Sequence, residues 1–214
     1  MKLLIIDNYD SFTFNLYQFC GEIFKKLPGQ HEIVVKRNDE LSLEDAKKIQ
    51  PDRIIISPGP GSPADPAYFG ICSEVILEMG KTIPLLGVCL GMQGICHVFG
   101  GEVIHAKLPM HGKLSAVYHE NKGVYNDLPQ GIEIMRYHSL VVRPSSLPDS
   151  LRVTSFVSEK SEDFDSDCVD FSSDFIEIMG VQHKEFPIQG IQFHPESFGT
   201  EGGKQMIQNF LLQS

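Results

Sequence analysis

The chain contains no apolar run approaching the roughly 18 residues that cross a bilayer, and no signal-type apolar stretch followed by a small-residue cleavage site. Its N-terminal Lys2-Leu3-Leu4-Ile5-Ile6 is too short for either. Membrane insertion and export are not expected, and the chain reads as a soluble, cytoplasmic protein. Basic residues are scarce: 18 Lys and Arg against 28 Asp and Glu give a formal charge of −10, with no Lys/Arg cluster. Nucleic acid is therefore not an expected partner, because binding a phosphate backbone needs a basic footprint. No C-x-x-C pair occurs among Cys20, Cys72, Cys89, Cys96 and Cys168. Their odd number and scatter fit reduced thiols better than a disulfide framework. His97, His105, His111 and His119 offer no H-E-x-x-H or Cys/His spacing, so no metal site is expected. There is no internal repeat.

What is present is 214 residues, 42% hydrophobic and 21% charged, enough to bury one sizeable core as a single domain over residues 1–214. Leu3–Ile6 reads as a short buried strand. From Ser11, a candidate N-cap, Phe12, Leu16, Phe19, Ile23 and Leu27 recur at three- and four-residue intervals, which predicts a helix with one apolar face, stopped by Pro28-Gly29. Ile33–Val35 predicts a second strand, Ser42–Ile49 a short helix capped by Ser42, and Arg53–Ile56 a third strand. Tyr68–Met79 predicts a helix ended by Gly80. Alternating strands and helices imply an α/β fold, with an open, mostly parallel central sheet covered by helices on both faces. Beyond Gly100-Gly101 the pattern turns β-rich, with segments at Glu102–Ala106, Lys113–Val117, Ile132–Met135, Leu140–Val142 and Leu151–Val157. This second half is expected to be mixed or antiparallel. Ile188–Phe193 is a further strand, and Gly203–Leu212 a final helix with Met206, Phe210 and Leu211 inward.

The central stretch is Gly87-Val88-Cys89-Leu90-Gly91-Met92-Gln93, which follows the apolar Ile83-Pro84-Leu85-Leu86 and leads into a helical pattern. Gly87 and Gly91 flank the cysteine where a tight strand-to-helix corner brings backbones too close for a Cβ, the steric logic of a nucleophile elbow. Cys89 would then sit exposed at the corner, with the first amides of the helix pointing at it, and their partial positive charge favours a thiolate. On this motif alone a buried structural cysteine is an equal alternative. Ser57-Pro58-Gly59-Pro60-Gly61-Ser62-Pro63 is too rich in Pro and Gly for regular structure and lacks the G-K-[ST] ending of a phosphate loop. It is a rigid loop at a strand's carboxyl end, where open α/β sheets bind ligands, and its amides could serve an oxyanion. In His194-Pro195-Glu196-Ser197, residues two apart on an extended segment project to one side, and Pro195 biases His194 toward the extended region. His194 and Glu196 can then supply a thiol's proton acceptor and the carboxylate that orients it. Residues 159–174 hold seven acidic side chains against Lys160 alone and match no Ca²⁺-loop spacing, which predicts a solvated, mobile acidic insertion.

Together, Gly87–Gln93, Pro58–Gly61 and Phe193–Ser197 resemble the class I (triad) glutamine amidotransferase domain, in the family's order and over almost the whole chain. Asp7–Thr13, His111-Gly112-Lys113 and Tyr137-His138-Ser139-Leu140 are further similar to the glutaminase subunits of the chorismate-using enzymes, anthranilate synthase (component II) and aminodeoxychorismate synthase. The resemblance implies that Cys89 attacks the side-chain amide of L-glutamine, giving a γ-glutamyl thioester and ammonia, with His194 as base and acid and Glu196 holding it. It implies an oxyanion hole from the amides of Gly61 and Leu90, and glutamine held by Gly59, Pro60, Gly61, Gln93, Ser139 and Leu140. A chorismate-binding synthase subunit (component I) is the implied ammonia acceptor, docked near Asp10, Ser11, His111, Gly112 and Lys113. No cofactor is implied in this chain; Mg²⁺ would belong to the partner. Two departures stand out: Met92 occupies a position where the subgroup often has His, and the acidic insertion is longer than the resemblance requires. The alternatives are a stand-alone γ-glutamyl thiol hydrolase, a non-catalytic docking module, or a glutaminase serving GMP or carbamoyl-phosphate synthesis on the same triad. The intact Cys89, His194 and Glu196 disfavour the module, and the Asp7–Thr13 and Tyr137–Leu140 stretches disfavour the last two pathways.

Overall fold

The structure, a computed structural model, describes residues 1–158 and 176–213; the acidic insertion read at 159–174 lies outside the described residues. The first half runs β1 (Lys2–Asp7), α1 (Thr13–Phe24), β2 (Glu32–Arg37), α2 (Leu43–Ile49), β3 (Arg53–Ile56), α3 (Pro66–Phe69), α4 (Cys72–Glu74), a π-turn (Val75–Met79), β4 (Leu85–Val88) and α5 (Leu90–Val98). The second half runs β5 (Val103–His105), β6 (Lys113–His119), β7 (Ile132–Arg136), β8 (Leu140–Val142), β9 (Leu151–Ser158), β10 (Ile176–His183), β11 (Ile188–Ile191) and α6 (Gly203–Leu212).

Among the described residues, nine strands form one sheet in the order β2-β1-β3-β4-β11-β10-β9-β6-β7. The first five are parallel to one another. The last four continue the sheet antiparallel. β5 and β8 pair separately as a small antiparallel ribbon. The expected fold class, with its mixed second half, is what the chain adopts.

A parallel strand covered on both faces must be apolar on both, and β1 shows how the pleat divides it. Leu3 and Ile5 join Leu16, Cys20 and Ile23 of α1 and Met206, Ile207, Phe210 and Leu211 of α6 in one core. Leu4 and Ile6 face a second core with Ala46, Val75, Ile76, Met79, Ile95 and Cys96. The sheet is thus a slab with its strand ends free for chemistry.

Several local expectations are corrected. Ser11 does not cap α1; Phe12 holds the N-cap position, with no side-chain hydrogen bond. Phe12 itself is 40% exposed, so the buried face of α1 is Thr13, Leu16, Cys20, Ile23 and Phe24. The helix also ends at Phe24, before Pro28, because Lys26 and Leu27 donate three residues back, to Ile23 and Phe24. The single helix expected over Tyr68–Met79 breaks at Gly70, where φ is +46° and Ile71 donates to the Asn38 carbonyl. A tertiary contact overrides the helical pattern there. β10 has no counterpart among the expected strands. Ser42, by contrast, caps α2 in a reciprocal box with Asp45, as its sequence spacing indicates.

Candidate active site at the β4–α5 corner

All four residues of β4 are buried, and the chain reverses immediately after them. A Cβ on Gly87 would lie 2.5 Å from the Gly91 carbonyl carbon, and one on Gly91 would lie 2.5 Å from the Ile56 carbonyl oxygen. Only glycine fits at either place. Cys89, the N-cap of α5, takes φ 51° and ψ −103°, a region that costs a non-glycine residue about 1–3 kcal/mol. The corner is held by its backbone: the Cys89 N–H donates to Ile191 O (2.8 Å), and its carbonyl accepts from the Gln93 N–H (3.0 Å). The thiol is therefore held at a fixed point at the carboxyl end of the parallel strands; Cys89 is only 7% exposed and not the exposed residue expected at the corner, because it packs into the core that holds Val88, Ile191 and Phe193.

The Pro-Gly loop after β3 is clamped against this corner. A Cβ on Gly59 would lie 2.5 Å from Asn8 Cβ and 2.8 Å from Leu90 Cδ2. Asn8 donates its backbone N–H to Ser57 Oγ (2.8 Å) and its Nδ2 to Ser57 O (2.9 Å), while Asn38 Nδ2 donates to Asn8 Oδ1 (2.9 Å). These buried amides fix the loop; Asn8 belongs to the Asp7–Thr13 stretch singled out in the sequence, whereas Asn38 carries no local signal. Gly61 has φ +76° and lies face-on to the Tyr68 ring. Pro60 and Gly61 are exposed, and Leu90 is the first residue of α5, so its N–H has no acceptor within the helix.

His194 and Glu196 are each 3% exposed, and His194 Nδ1 lies 2.6 Å from Glu196 Oε1. They meet in a turn closed by the Ser197 N–H on His194 O (3.2 Å), not along the extended segment expected from Pro195. Thr200 Oγ1 also donates to His194 O (2.6 Å). Tyr137 packs edge-on to the imidazole at 5.2 Å, and Phe12 does so at 6.3 Å. His194 Nε2 is buried without a hydrogen-bond partner. Burial alone would pull the imidazole down; hydrogen bonding and charge from Cys89, then Glu196, outweigh it and hold the pKa well above the usual 6.5. Cys89 thus acts on the imidazole, while Nε2 makes no hydrogen bond. Asp10 also senses this pair: burial pushes its carboxyl up, and the charges of His194 and Glu196 act on it in opposite directions.

The third wall is the 137–140 segment. Gln93 Nε2 donates to Leu140 O (3.0 Å) and to Gln192 Oε1 (3.2 Å). His138 Nδ1 lies 3.1 Å from Leu140 O, and His138 Nε2 accepts from Arg136 Nε (3.3 Å). Arg136 is almost fully buried and ion-paired with Glu177. Ser139 Oγ contacts His111 Nε2 (3.3 Å), so the expected glutamine-binding loop and the expected docking residues are neighbours. His111, Gly112, Lys113 and Ser11 are exposed, and Asp10 is half-buried. Met92 points into the second core, where a Cβ on Gly190 would lie 2.8 Å from its Cγ. Among the described residues, no three or more His, Cys, Asp and Glu side chains converge as metal ligands, and no helix is long and apolar enough to cross a membrane.

Residues missed by sequence reasoning include Gln192, whose amide nitrogen lies 3.5 Å from Cys89 Sγ. It stands two residues before His194 in the chain. Arg136 and Glu177 carry no local signal, since their partnership spans separate strands.

Residues 4–214 match the family described as glutamine amidotransferase class-I. The chain is 54% identical over 211 residues to "Anthranilate synthase component 2" of Leptospira biflexa, covering 99% of each. It is 43% identical over 209 residues to "Aminodeoxychorismate/anthranilate synthase component 2" of Bacillus subtilis, covering 98% of this chain and 95% of that one. The crystal structure of a glutamine amidotransferase from Thermotoga maritima superposes with TM-score 0.65 at 16% identity, over 92% of this chain and 76% of that chain. A Thermoplasma acidophilum crystal structure whose name refers to GMP synthase superposes with TM-score 0.75 at 24% identity, over 99% of this chain and 92% of that chain. Both are likenesses of fold. With a cysteine at a glycine-bounded strand-to-helix corner, a buried His–Glu pair beside it and a match running nearly from end to end, the chain belongs to the class I glutamine amidotransferases.

Proposed function

We propose that this chain is the glutaminase subunit that hydrolyses L-glutamine and passes ammonia to a chorismate-binding synthase, in the cytoplasm. The observation that carries the reading is Cys89 at a strained corner beside the buried His194–Glu196 pair. His194 Nε2 takes the thiol proton, and Sγ attacks the carboxamide carbon of glutamine. The C–N bond then breaks, the proton returns through His194 to the leaving nitrogen as ammonia, and a γ-glutamyl thioester remains. Water, deprotonated by the same imidazole, cleaves the thioester to glutamate and restores the thiol. Glu196 keeps Nδ1 protonated and aimed. The amides of Gly61 and Leu90 take up the developing oxyanion, each such donor being worth about 3 kcal/mol in comparable sites. Gly59, Pro60, Gly61, Gln93, Ser139 and Leu140 border the glutamine pocket. Nothing in this scheme calls for a cofactor in this chain; Mg²⁺ would belong to the synthase.

The chorismate assignment is supported by the names of the relatives, and the docking site by exposed Ser11, His111, Gly112 and Lys113 beside half-buried Asp10 at the rim. The test is glutamate release by the chain alone and with a component I subunit plus chorismate. Release that rises on addition, with anthranilate or aminodeoxychorismate formed, is expected. High release indifferent to the synthase would instead identify a free-standing hydrolase.

A further inference from the structure

Gln192 is fully buried directly beside the nucleophile, one residue past a strand whose four residues are all buried. β4 and β11 are parallel, with Val88 opposite Ile191, so Cys89 and Gln192 are the next residues on each strand. The Cys89 N–H binds Ile191 O, and the Gln192 N–H binds Met179 O of β10 (2.9 Å). Gln192 Nε2 then lies 3.5 Å from Cys89 Sγ. A buried glutamine is an expensive residue unless its amide is used.

The direction of that amide follows from its neighbours. The Leu140 carbonyl can only accept, so the Gln93 atom facing it must be nitrogen. That nitrogen's second proton meets Gln192 at 3.2 Å, and the group it meets must be an acceptor, which assigns Oε1. Gln192 Nε2 is thereby turned toward the sulfur. The reverse orientation would set donor against donor at Gln93. His138 supports the anchor: Arg136 can only donate, so His138 Nε2 accepts, and its Nδ1–H is left for the Leu140 carbonyl. A chain of fixed polarity therefore runs from Arg136 to the nucleophile.

We propose that Gln192 is a catalytic residue of the glutaminase reaction, donating an amide N–H to Cys89 Sγ and stabilising the sulfur as it gives up its proton. This rests on the reading of Cys89 as nucleophile. The donor stabilises a thiolate more than a thiol, since hydrogen bonds to a charged partner are the stronger kind.

The test uses the full chain with Cys168→Ser, so that Cys89 is the reactive thiol. Cys20 and Cys96 are buried with thiols pushed up to about 12, and Cys72 is pushed up by burial as well. The rate of iodoacetamide alkylation of Cys89 is followed against pH in the parent, Gln192→Met, which keeps the length without the donor, and Gln192→Glu, which places an acceptor there. The expected midpoint rises by about one to two pH units in Gln192→Met and further in Gln192→Glu, with kcat for glutamine hydrolysis falling about ten- to a hundredfold. Each variant's melting temperature is taken alongside, and Gln192→Glu carries the test if Gln192→Met does not fold. An unchanged midpoint in a variant that melts as the parent does would overturn the role of Gln192. Wild-type hydrolysis that survives complete alkylation of Cys89 would instead overturn the nucleophile assignment beneath it.

Discussion

The parallel and antiparallel halves of the sheet bring different kinds of residue to the same cleft. On the parallel side, β3, β4 and β11 are almost wholly buried, and what they and the segments after them contribute is mainly backbone placement: glycines at Gly59, Gly87 and Gly91 that allow a cysteine to stand at a forced angle. On the antiparallel side, β7 buries the Arg136 guanidinium, set between the partly exposed Glu177 of β10 and His138, and the contribution of these strands is to hold the 137–140 segment. The chemistry is positioned by steric exclusion on one side and by hydrogen-bond direction on the other. Steric exclusion is local in sequence and unforgiving; hydrogen-bond direction is assembled from distant residues and fails by degrees.

That contrast can be broken at defined points. The largest effect is expected on the parallel side. Gly87→Ala places a Cβ against the Gly91 backbone, which cannot give as a side chain could, and should cost about 3 kcal/mol or more with loss of glutaminase activity. Urea denaturation and glutamate release measure both. On the antiparallel side, Glu177→Ala leaves the Arg136 guanidinium buried without its counter-charge. Because the Glu177 side chain is about one-third exposed, water can partly replace it, and the expected cost is about 2 kcal/mol. Its functional signature should be a raised KM for glutamine with a smaller change in kcat, since only the 137–140 segment is loosened.

The smallest effect is a slope with pH. Burial, followed by the Arg136 charge, lowers the His138 pKa from 6.5 to about 3. The unfolded chain therefore takes up a proton between these values that the folded protein refuses. Stability should fall as pH drops below 6.5, by up to about 1.4 kcal/mol per unit from this group. His138→Gln should flatten that slope whatever it does to stability at neutral pH, as urea midpoints across pH 4–7 would show.

The same contrast explains how much can be read from the sequence. β1, β3 and β4 are legible because a strand buried on both faces is a continuous apolar run, and Cys89 because its corner needs two glycines at fixed spacing. The pairing of His194 with Glu196 is legible too, though it is a turn that brings them together. β10 is not, since its run is interrupted by Gly180 at a bulge and begins beside the acidic insertion. The break at Gly70 is hidden because its cause is Asn38, 32 residues earlier in the chain. Gln192 is hidden by its surroundings: inside an apolar run it reads as part of the core. Phe12 fits the helical face by spacing, whereas its ring lies against Tyr137 and His194 at the rim.

The central claim is that the parallel side delivers the nucleophile, and it is tested most directly by quenching the enzyme with acid during glutamine turnover and weighing its peptides. The account predicts the mass increment of a γ-glutamyl group on the peptide carrying Cys89, absent in Cys89→Ser. Undiminished glutamate release by Cys89→Ser, with no such adduct on the wild-type peptide, would contradict it.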